Sequence, residues 1–193
     1  RMSGNCFIQA MAGEWVPLQA SLIEAKMFFA VGGFNPLITG PEDVDLCRRI
    51  ALRSDMAGMQ AAVACIGMGV EDSSTDYVCA VEYSRWAREK ILNEPGAFAR
   101  MRASASSSYW RGRIVRAYLT SVVWNLQRRN VFTAASRATS GLVSFALASR
   151  HMLSRGFWRA ITKSYESETF LRGFQEANRP VERRDTYKLC TVK

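Results

Sequence analysis

The chain is poor in histidine, and its cysteines form no metal-binding pairs. His151 is the single histidine among 193 residues, which argues against a histidine-based metal site and against a Ser-His-Asp triad. The number of cysteines is odd, and no Cys-x-x-Cys pair occurs. This usage favours free buried thiols in a reducing compartment over a disulfide framework. The cysteines are Cys6, Cys47, Cys65, Cys79 and Cys190.

Long apolar runs and a secretory signal are lacking as well. No uninterrupted apolar run approaches the ~20 residues that a bilayer span requires. The most apolar stretch of the C-terminal part covers only residues 141–148. We therefore expect a chain that does not cross a membrane, although it can lie on one. Because the chain begins with Arg1 and Met2, we also expect an upstream part of the protein.

Basic residues are few in residues 1–83 and abundant in residues 84–193. The first range holds 5 Lys/Arg and 10 Asp/Glu, and the second holds 21 and 7, which gives net charges of −5 and +14. The basic half fits a solvated helical surface, an anionic membrane surface or nucleic acid. No RNP, KH or zinc-finger pattern occurs, so we expect no nucleic-acid partner.

The composition changes near residue 84, and this change divides the chain into two predicted domains, 1–83 and 84–193. Short apolar runs with glycine punctuation in the first domain predict an α/β fold. We predict a strand or an extended entry segment over Val16–Ile23 and a buried strand over Ala61–Ile66. The predicted helices are Glu24–Ala30 and Glu42–Arg53. A polar loop over Glu71–Asp76 fits either a solvated loop or a site for a hard cation.

For the second domain, the sequence predicts a mostly α-helical, amphipathic and basic extension. Predicted helices cover Ser84–Glu94, Ala97–Arg102, the segment from Trp110 to Leu126, Thr133–Ala148 and the surroundings of Trp158. In the amphipathic helix that includes Trp110 to Leu126 and the residues directly after it, we place Arg111, Arg113, Arg116, Arg128 and Arg129 among the polar positions. The interspersed tryptophans and tyrosines suit either a helical core or a membrane interface.

The most informative segment pairs a glycine turn with a cluster of acids. Its sequence is VGGFNP from Val31, followed by GPEDVDLCRR from Gly40. Paired glycines allow positive φ angles and close approach of a ligand, and Phe34 suits either the core or stacking on a sugar. Acids at the start of a helix either complement its positive end or act as a catalytic base. The candidate residues are Gly32, Gly33, Phe34, Glu42, Asp43 and Asp45.

This combination resembles the acceptor-side motif of family 2 (GT-A fold) glycosyltransferases, over roughly Trp15 to Asp76. The resemblance implies the acceptor half of a GT-A domain, with inverting transfer of a sugar from a nucleotide-sugar donor to a glycan or lipid-linked hydroxyl. It implies that Asp43 is the general base and that Gly32, Gly33 and Phe34 shape the acceptor side. Glu42 and Asp45 are then substrate-side neighbours that orient the turn or cap the helix.

The chain departs from the family in two places. No Asp-x-Asp metal motif precedes Gly32, so the divalent cation (Mg or Mn) expected for the full enzyme has no ligands in this chain. Many relatives carry a histidine after the strand near Ala64, where this chain has Gly67-Met68-Gly69. We therefore expect the isolated chain to be inactive and assign it no metal ligands.

Two functional hypotheses follow. In the first, the chain is the C-terminal part of an inverting glycosyltransferase, cytoplasmic and held at the inner face of the membrane by its basic helices. In the second, it is a non-catalytic basic helical module that binds an anionic membrane or a protein partner. The reading frame upstream of Arg1 separates them, because only the enzyme needs a donor-binding half.

Overall fold

The computed structural model describes residues 3–12, 18–38, 41–59, 77–104 and 107–163, with the backbone alone over 77–83. Eight α-helices lie in these ranges, and short 3-10 turns occur at Leu18–Ala20 and Ser149–His151. The helices are α1 (Phe7–Met11), α2 (Ala25–Ala30), α3 (Glu42–Arg53), α4 (Tyr77–Asn93), α5 (Ala97–Ala103), α6 (Ser108–Gln127), α7 (Val131–Leu147) and α8 (Arg155–Thr162).

The prediction of an α/β fold is wrong. Helix accounts for 71% of the interpretable residues, and the described ranges contain no strand or sheet. Within these ranges, Gly4 and Met56 form one isolated antiparallel β-bridge. The described part of the first predicted strand, from Leu18 to Ile23, forms a 3-10 turn and irregular backbone. Leu22 is fully exposed, so this apolar segment lacks the burial of a core strand. The predicted strand Ala61–Ile66 lies outside the described residues.

The predicted helices are present, and α3 begins and ends at the predicted residues. Three acids occupy its first turn and Arg53 its last, the arrangement that the helix dipole favours. Helix α4 begins earlier than predicted, at Tyr77. Among the described residues, no helix combines the length and apolarity that a membrane span requires.

One hydrophobic cluster joins α1 and α3 to α4, α5 and α6. It is built from fully buried apolar side chains, and residues on both sides of position 83 contribute to it. The members include Phe7, Ile8, Met11, Ala51, Ile91, Met101, Ile114 and Tyr118. The division of the chain into two domains at residue 83 stays a prediction, based on charge.

Helices α7 and α8 both pack on α6, and glycine sets the distance in each pair. A Cβ on Gly112 would lie 2.4 Å from the carbonyl oxygen of Phe157, so α8 rests directly on the α6 backbone. A Cβ on Gly141 would lie 3.3 Å from the Cβ of Tyr118, which brings α7 close to α6. The positions of α7 and α8 are therefore fixed by small residues.

Arginines bind the carbonyl ends of neighbouring helices. The last carbonyls of a helix have no partner within it, and the negative end of the helix dipole attracts a cation. Arg113, which the sequence placed on a polar face, is only 2% exposed. The donors and acceptors are Arg48 with Ala10 O at 3.1 Å, Arg100 with Ala51 O at 3.1 Å, Arg137 with Leu92 O at 3.2 Å, and Arg113 with Lys163 O at 2.6 Å and Ala12 O at 3.1 Å.

Candidate functional site

The glycine turn has the backbone that its sequence predicts. Gly32 and Gly33 adopt φ angles of 82° and 64°, a region that residues with a side chain rarely enter. A Cβ on Gly33 would also lie 3.2 Å from the Phe28 ring. The Gly33 amide donates to Phe28 O at 2.9 Å, which closes the end of α2. Both glycines are therefore required by the shape of this turn.

Phe34 stands on the open side of the turn. Its ring meets the Phe28 ring edge to face, with centroids 5.6 Å apart, and 46% of its surface is exposed. It does not belong to either hydrophobic cluster of the described residues. An aromatic ring that is held from one side and exposed on the other can stack on the apolar face of a sugar.

Asp43 lies in the first turn of α3 and is partly exposed. Its Oδ1 accepts a hydrogen bond from the Val44 amide at 2.7 Å. The first amides of a helix have no partner within it, so this carboxylate satisfies one of them. Asp43 therefore contributes to the start of the helix, and this contact also fixes the direction of its carboxylate.

Glu42 precedes Asp43 and has an unusual environment. Its Oε2 is buried, and among the described residues no hydrogen-bond donor reaches it. A buried carboxylate oxygen without a donor is costly, and such atoms are uncommon in native structures. A hydroxyl group supplied by a ligand would satisfy this oxygen once the side chain turns toward solvent.

Asp45 and Arg49 tie the glycine turn to α3. Asp45 is 3% exposed, and its Oδ2 lies 2.8 Å from Nε and 2.7 Å from Nη2 of Arg49. Arg49 Nη1 also donates to Val31 O at 2.6 Å, directly before the paired glycines. The sequence reasoning missed Arg49, although the Asp-x-x-x-Arg spacing within one helix predicts such a pair. We call Val31, Asp45 and Arg49 the turn clamp.

A narrow cleft of about 170 Å³ opens beside the turn clamp, between α3 and α4. It is smaller than the ~300 Å³ from which small-molecule sites usually start, so it suits water or a small polar group. Glu42, Asp43 and Phe34 do not line it. Its walls are Val31, Asn35, Asp45, Arg49, Leu52, Arg53, Ala87, Lys90, Ile91 and Glu94. The structure thus joins the turn to Asp45 but does not place Asp43 in this cleft.

Cys47 follows on α3 but is not suited to nucleophilic chemistry. Burial raises the pKa of its thiol to about 11, against the smaller opposing effect of Arg48. The thiolate is the reactive form, so at neutral pH this cysteine stays protonated. The chemistry of this junction, formed by the glycine turn and the first turn of α3, therefore rests on its carboxylates.

The described residues do not form a cation site. In the described ranges, no three His, Cys, Asp or Glu side chains come together as a metal-binding group. Asp45 is paired with Arg49, and Asp43 Oδ1 accepts from a backbone amide. The loop Glu71–Asp76 lies outside the described residues. No chemical step through a metal is therefore derived from this chain.

Comparison of the chain with protein-family models, with curated proteins and with solved structures found no match in any of the three.

Proposed function

We propose that this chain carries the acceptor side of an inverting glycosyltransferase, with Asp43 as the general base. The observation that carries the proposal is the junction itself. A glycine turn that presents a half-exposed aromatic ring is clamped onto a helix start that holds Asp43 and an unsatisfied carboxylate oxygen on Glu42. Carbohydrate acceptors offer the hydroxyl donors and the apolar ring faces that such a junction lacks.

The proposed reaction uses few groups of this chain. The Asp43 carboxylate takes the proton of the acceptor hydroxyl as its oxygen forms a bond to the anomeric carbon of the donor sugar. The bond from that carbon to the phosphate oxygen breaks on the opposite face, and the nucleoside diphosphate leaves with the electron pair. Glu42 accepts a second hydroxyl of the acceptor, and Phe34 stacks on its ring. Arg49 and Asp45 are positioning residues that hold the turn.

The test is sugar transfer by protein expressed from its complete native reading frame, with nucleotide-sugar donors, Mg²⁺ or Mn²⁺ and hydroxyl acceptors. Replacement Asp43→Asn keeps the size of the side chain and removes the base, so we expect transfer to fall by roughly 10³-fold. The melting temperature should fall only slightly, because an asparagine oxygen still accepts from the Val44 amide while the charge at the helix start is lost. Glu24→Gln is the matched control, because Glu24 is an exposed acid outside the junction.

Two further variants separate binding from chemistry. Phe34→Leu removes the stacking ring, so KM for the acceptor should rise about tenfold while kcat changes little. Glu42→Gln should weaken acceptor binding in the same direction. Transfer at the wild-type rate in Asp43→Asn would remove Asp43 from the mechanism. Absence of transfer with every donor and acceptor would overturn the proposal.

A non-catalytic basic helical module is the second candidate. The observation that favours it is charge: between Glu94 and Glu166 the sequence contains no Asp or Glu but twelve Lys or Arg. Such a segment can bind an anionic partner without any contribution from the junction. Normal biological function of the Asp43→Asn variant in the native host would favour the module over the enzyme.

A further inference from the structure

Helix α7 presents an uncharged outer face. Its exposed positions repeat along the whole helix, and each carries an apolar, small or hydroxyl side chain. The only charged residue of α7, Arg137, is turned inward and is 7% exposed. We call the exposed positions the α7 outer face; they are Val131, Phe132, Ala135, Ser136, Thr139, Leu142, Val143, Ala146 and Leu147.

Most of the large apolar side chains of α7 lie outside and the small or polar ones inside; the exception is Phe145, which packs against Phe157. The buried positions of the helix are Ala134, Arg137, Gly141 and Ser144. Phe132 is 95% exposed and Leu142 is 71% exposed. A helix stabilised only by the core of its own protein carries its apolar stripe inward. The α7 outer face therefore fits a partner that is itself apolar.

Both neighbours of α7 also carry exposed apolar side chains. On α6, which forms a hairpin with α7, Leu119, Val123 and Leu126 recur at helical spacing and are each about half exposed. At the other end, the half-exposed Trp158 of α8 packs against Phe145 of α7, with centroids 6.3 Å apart. Trp158 Nε1 donates to Met152 O, so its polar atom is satisfied while its ring stays open.

Exposed arginines flank the α7 outer face at both ends. Arg128 and Arg129 precede the helix, and Arg150, Arg155 and Arg159 follow it. A second copy of this chain would bring these cations together in either an antiparallel or a parallel pairing, which is unfavourable. An anionic lipid surface complements both parts, because acyl chains accept the apolar side chains and headgroup phosphates bind the arginines.

Arg129 occupies a position where glycine is usual. It adopts a φ of 60°, and the amides of Arg129 and Asn130 donate to Leu126 O and Asn125 O at the end of α6. This is the Schellman arrangement, in which the left-handed residue is most often glycine. An arginine here costs stability but places a cation beside the first turn of α7.

We propose that the α7 outer face docks on an anionic lipid bilayer, with α7 lying parallel to the membrane plane and the flanking arginines on the lipid headgroups. At 17 residues, α7 is about 25 Å long, so it offers an extended line of contact without spanning the bilayer. This docking is independent of the transferase proposal, since it uses no residue of the junction.

The test is co-sedimentation of the full 193-residue chain with vesicles of phosphatidylcholine, alone or mixed with phosphatidylglycerol. We expect binding to the mixed vesicles only. The double variant Phe132→Gln with Leu142→Gln should bind about 100-fold more weakly, because two large apolar side chains no longer enter the bilayer. The control double variant Leu22→Gln with Phe29→Gln alters equally exposed side chains before the glycine turn and should bind normally.

A second variant separates docking from a purely structural role. Arg129→Gly removes one cation and relieves the backbone, so it should bind about fivefold more weakly yet melt at a higher temperature. Lys26→Gln removes one exposed cation from α2 and should change binding less than twofold.

Three outcomes would overturn the proposal. Equal binding of the face variant and the wild type would show general attraction of a basic protein to anionic lipid. Absence of vesicle binding, together with a dimer that Phe132→Gln and Leu142→Gln dissociate in sedimentation analysis, would assign the face to a second copy. Absence of both vesicle binding and self-association would show that the α7 outer face binds neither lipid nor a second copy, and would assign it to another partner, such as an acidic protein.

Discussion

Helices α3 and α7 reverse the usual relation between charge and burial. Six of the twelve residues of α3 are charged, yet only Arg53 of this helix is exposed. One of the seventeen residues of α7 is charged, and that residue is buried while the α7 outer face is open. Composition alone therefore does not predict which helix lies inside. Whether a charged helix is buried depends instead on where the partners of its charged groups lie.

The charges of α3 are tolerated because the fold supplies partners for them. Arg48 is 2% exposed and donates to carbonyls of α1 and α4, and Asp45 is paired with Arg49. Removing one member of such a set leaves the other buried and unsatisfied, which costs more than the set contributes when intact. In contrast, removing the exposed apolar side chains of α7 leaves no buried polar group without its partner.

The largest expected effect comes from Arg48→Met. The variant keeps an apolar stem of similar length but removes the side-chain donor from Ala10 O and the additional donor from Ser84 O, so we expect a loss of about 3 kcal/mol in the free energy of unfolding. Urea denaturation measures it. Arg53→Met on the same helix is the control, because the Arg53 side chain is 53% exposed and should cost less than about 1 kcal/mol.

A smaller loss is expected for Asp45→Asn, which breaks the turn clamp. Arg49 would keep Val31 O but lose its buried carboxylate, at a cost of about 2 kcal/mol. Amide exchange at Gly33 should accelerate more than the loss of global stability explains. Asp55→Asn disrupts a comparable arginine pair at a carboxylate that is 64% exposed, and it should leave Gly33 unchanged. Equal exchange at Gly33 in both variants would show that the clamp does not hold the turn.

Arg129→Gly should change stability in the opposite direction. Glycine adopts the positive φ of this position without strain, so we expect a gain of about 1 kcal/mol in the free energy of unfolding. Arg128→Gly is the control, because Arg128 has a φ of −97° and glycine there should give no gain. A loss of stability in Arg129→Gly would mean that the arginine side chain makes a stabilising contact.

The smallest expected effect is that of Phe132→Gln combined with Leu142→Gln. Both side chains are exposed, so the free energy of unfolding should change by less than about 0.5 kcal/mol. Leu46→Ala at a fully buried site of α3 should cost about 3 kcal/mol in the same urea titration. A large loss in the α7 double variant would show that its outer face is covered within the folded chain.

Local features were predictable and distant ones were not. The sequence predicted both ends of α3, because proline, acids and arginines mark them within the helix itself. It predicted the turn at Gly32 and Gly33 for a similar reason. The burial of Arg113 depends on Ala12 O, 101 positions away, and no local pattern reports such a partner. The expectation of a strand before Glu24 failed because a short apolar run has no periodicity that separates a strand from irregular chain.

The orientation of α7 was missed for a different reason. The sequence analysis predicted the helix itself, and the pattern of the helix does not tell which of its faces lies inward. Arg137 is its single charged residue. Its contacts with Leu92 O and Asn93 Oδ1 at the end of α4 turn that face inward.

The most direct measurement is iodoacetamide labelling of the Leu142→Cys variant, followed by peptide mass spectrometry. The native Cys6, which is fully buried, serves as the internal standard. An outward α7 face predicts fast labelling of position 142 in solution, slow labelling of Cys6, and protection of position 142 when phosphatidylglycerol vesicles are added. Labelling of position 142 as slow as that of Cys6 in solution would contradict the reversed burial of α3 and α7.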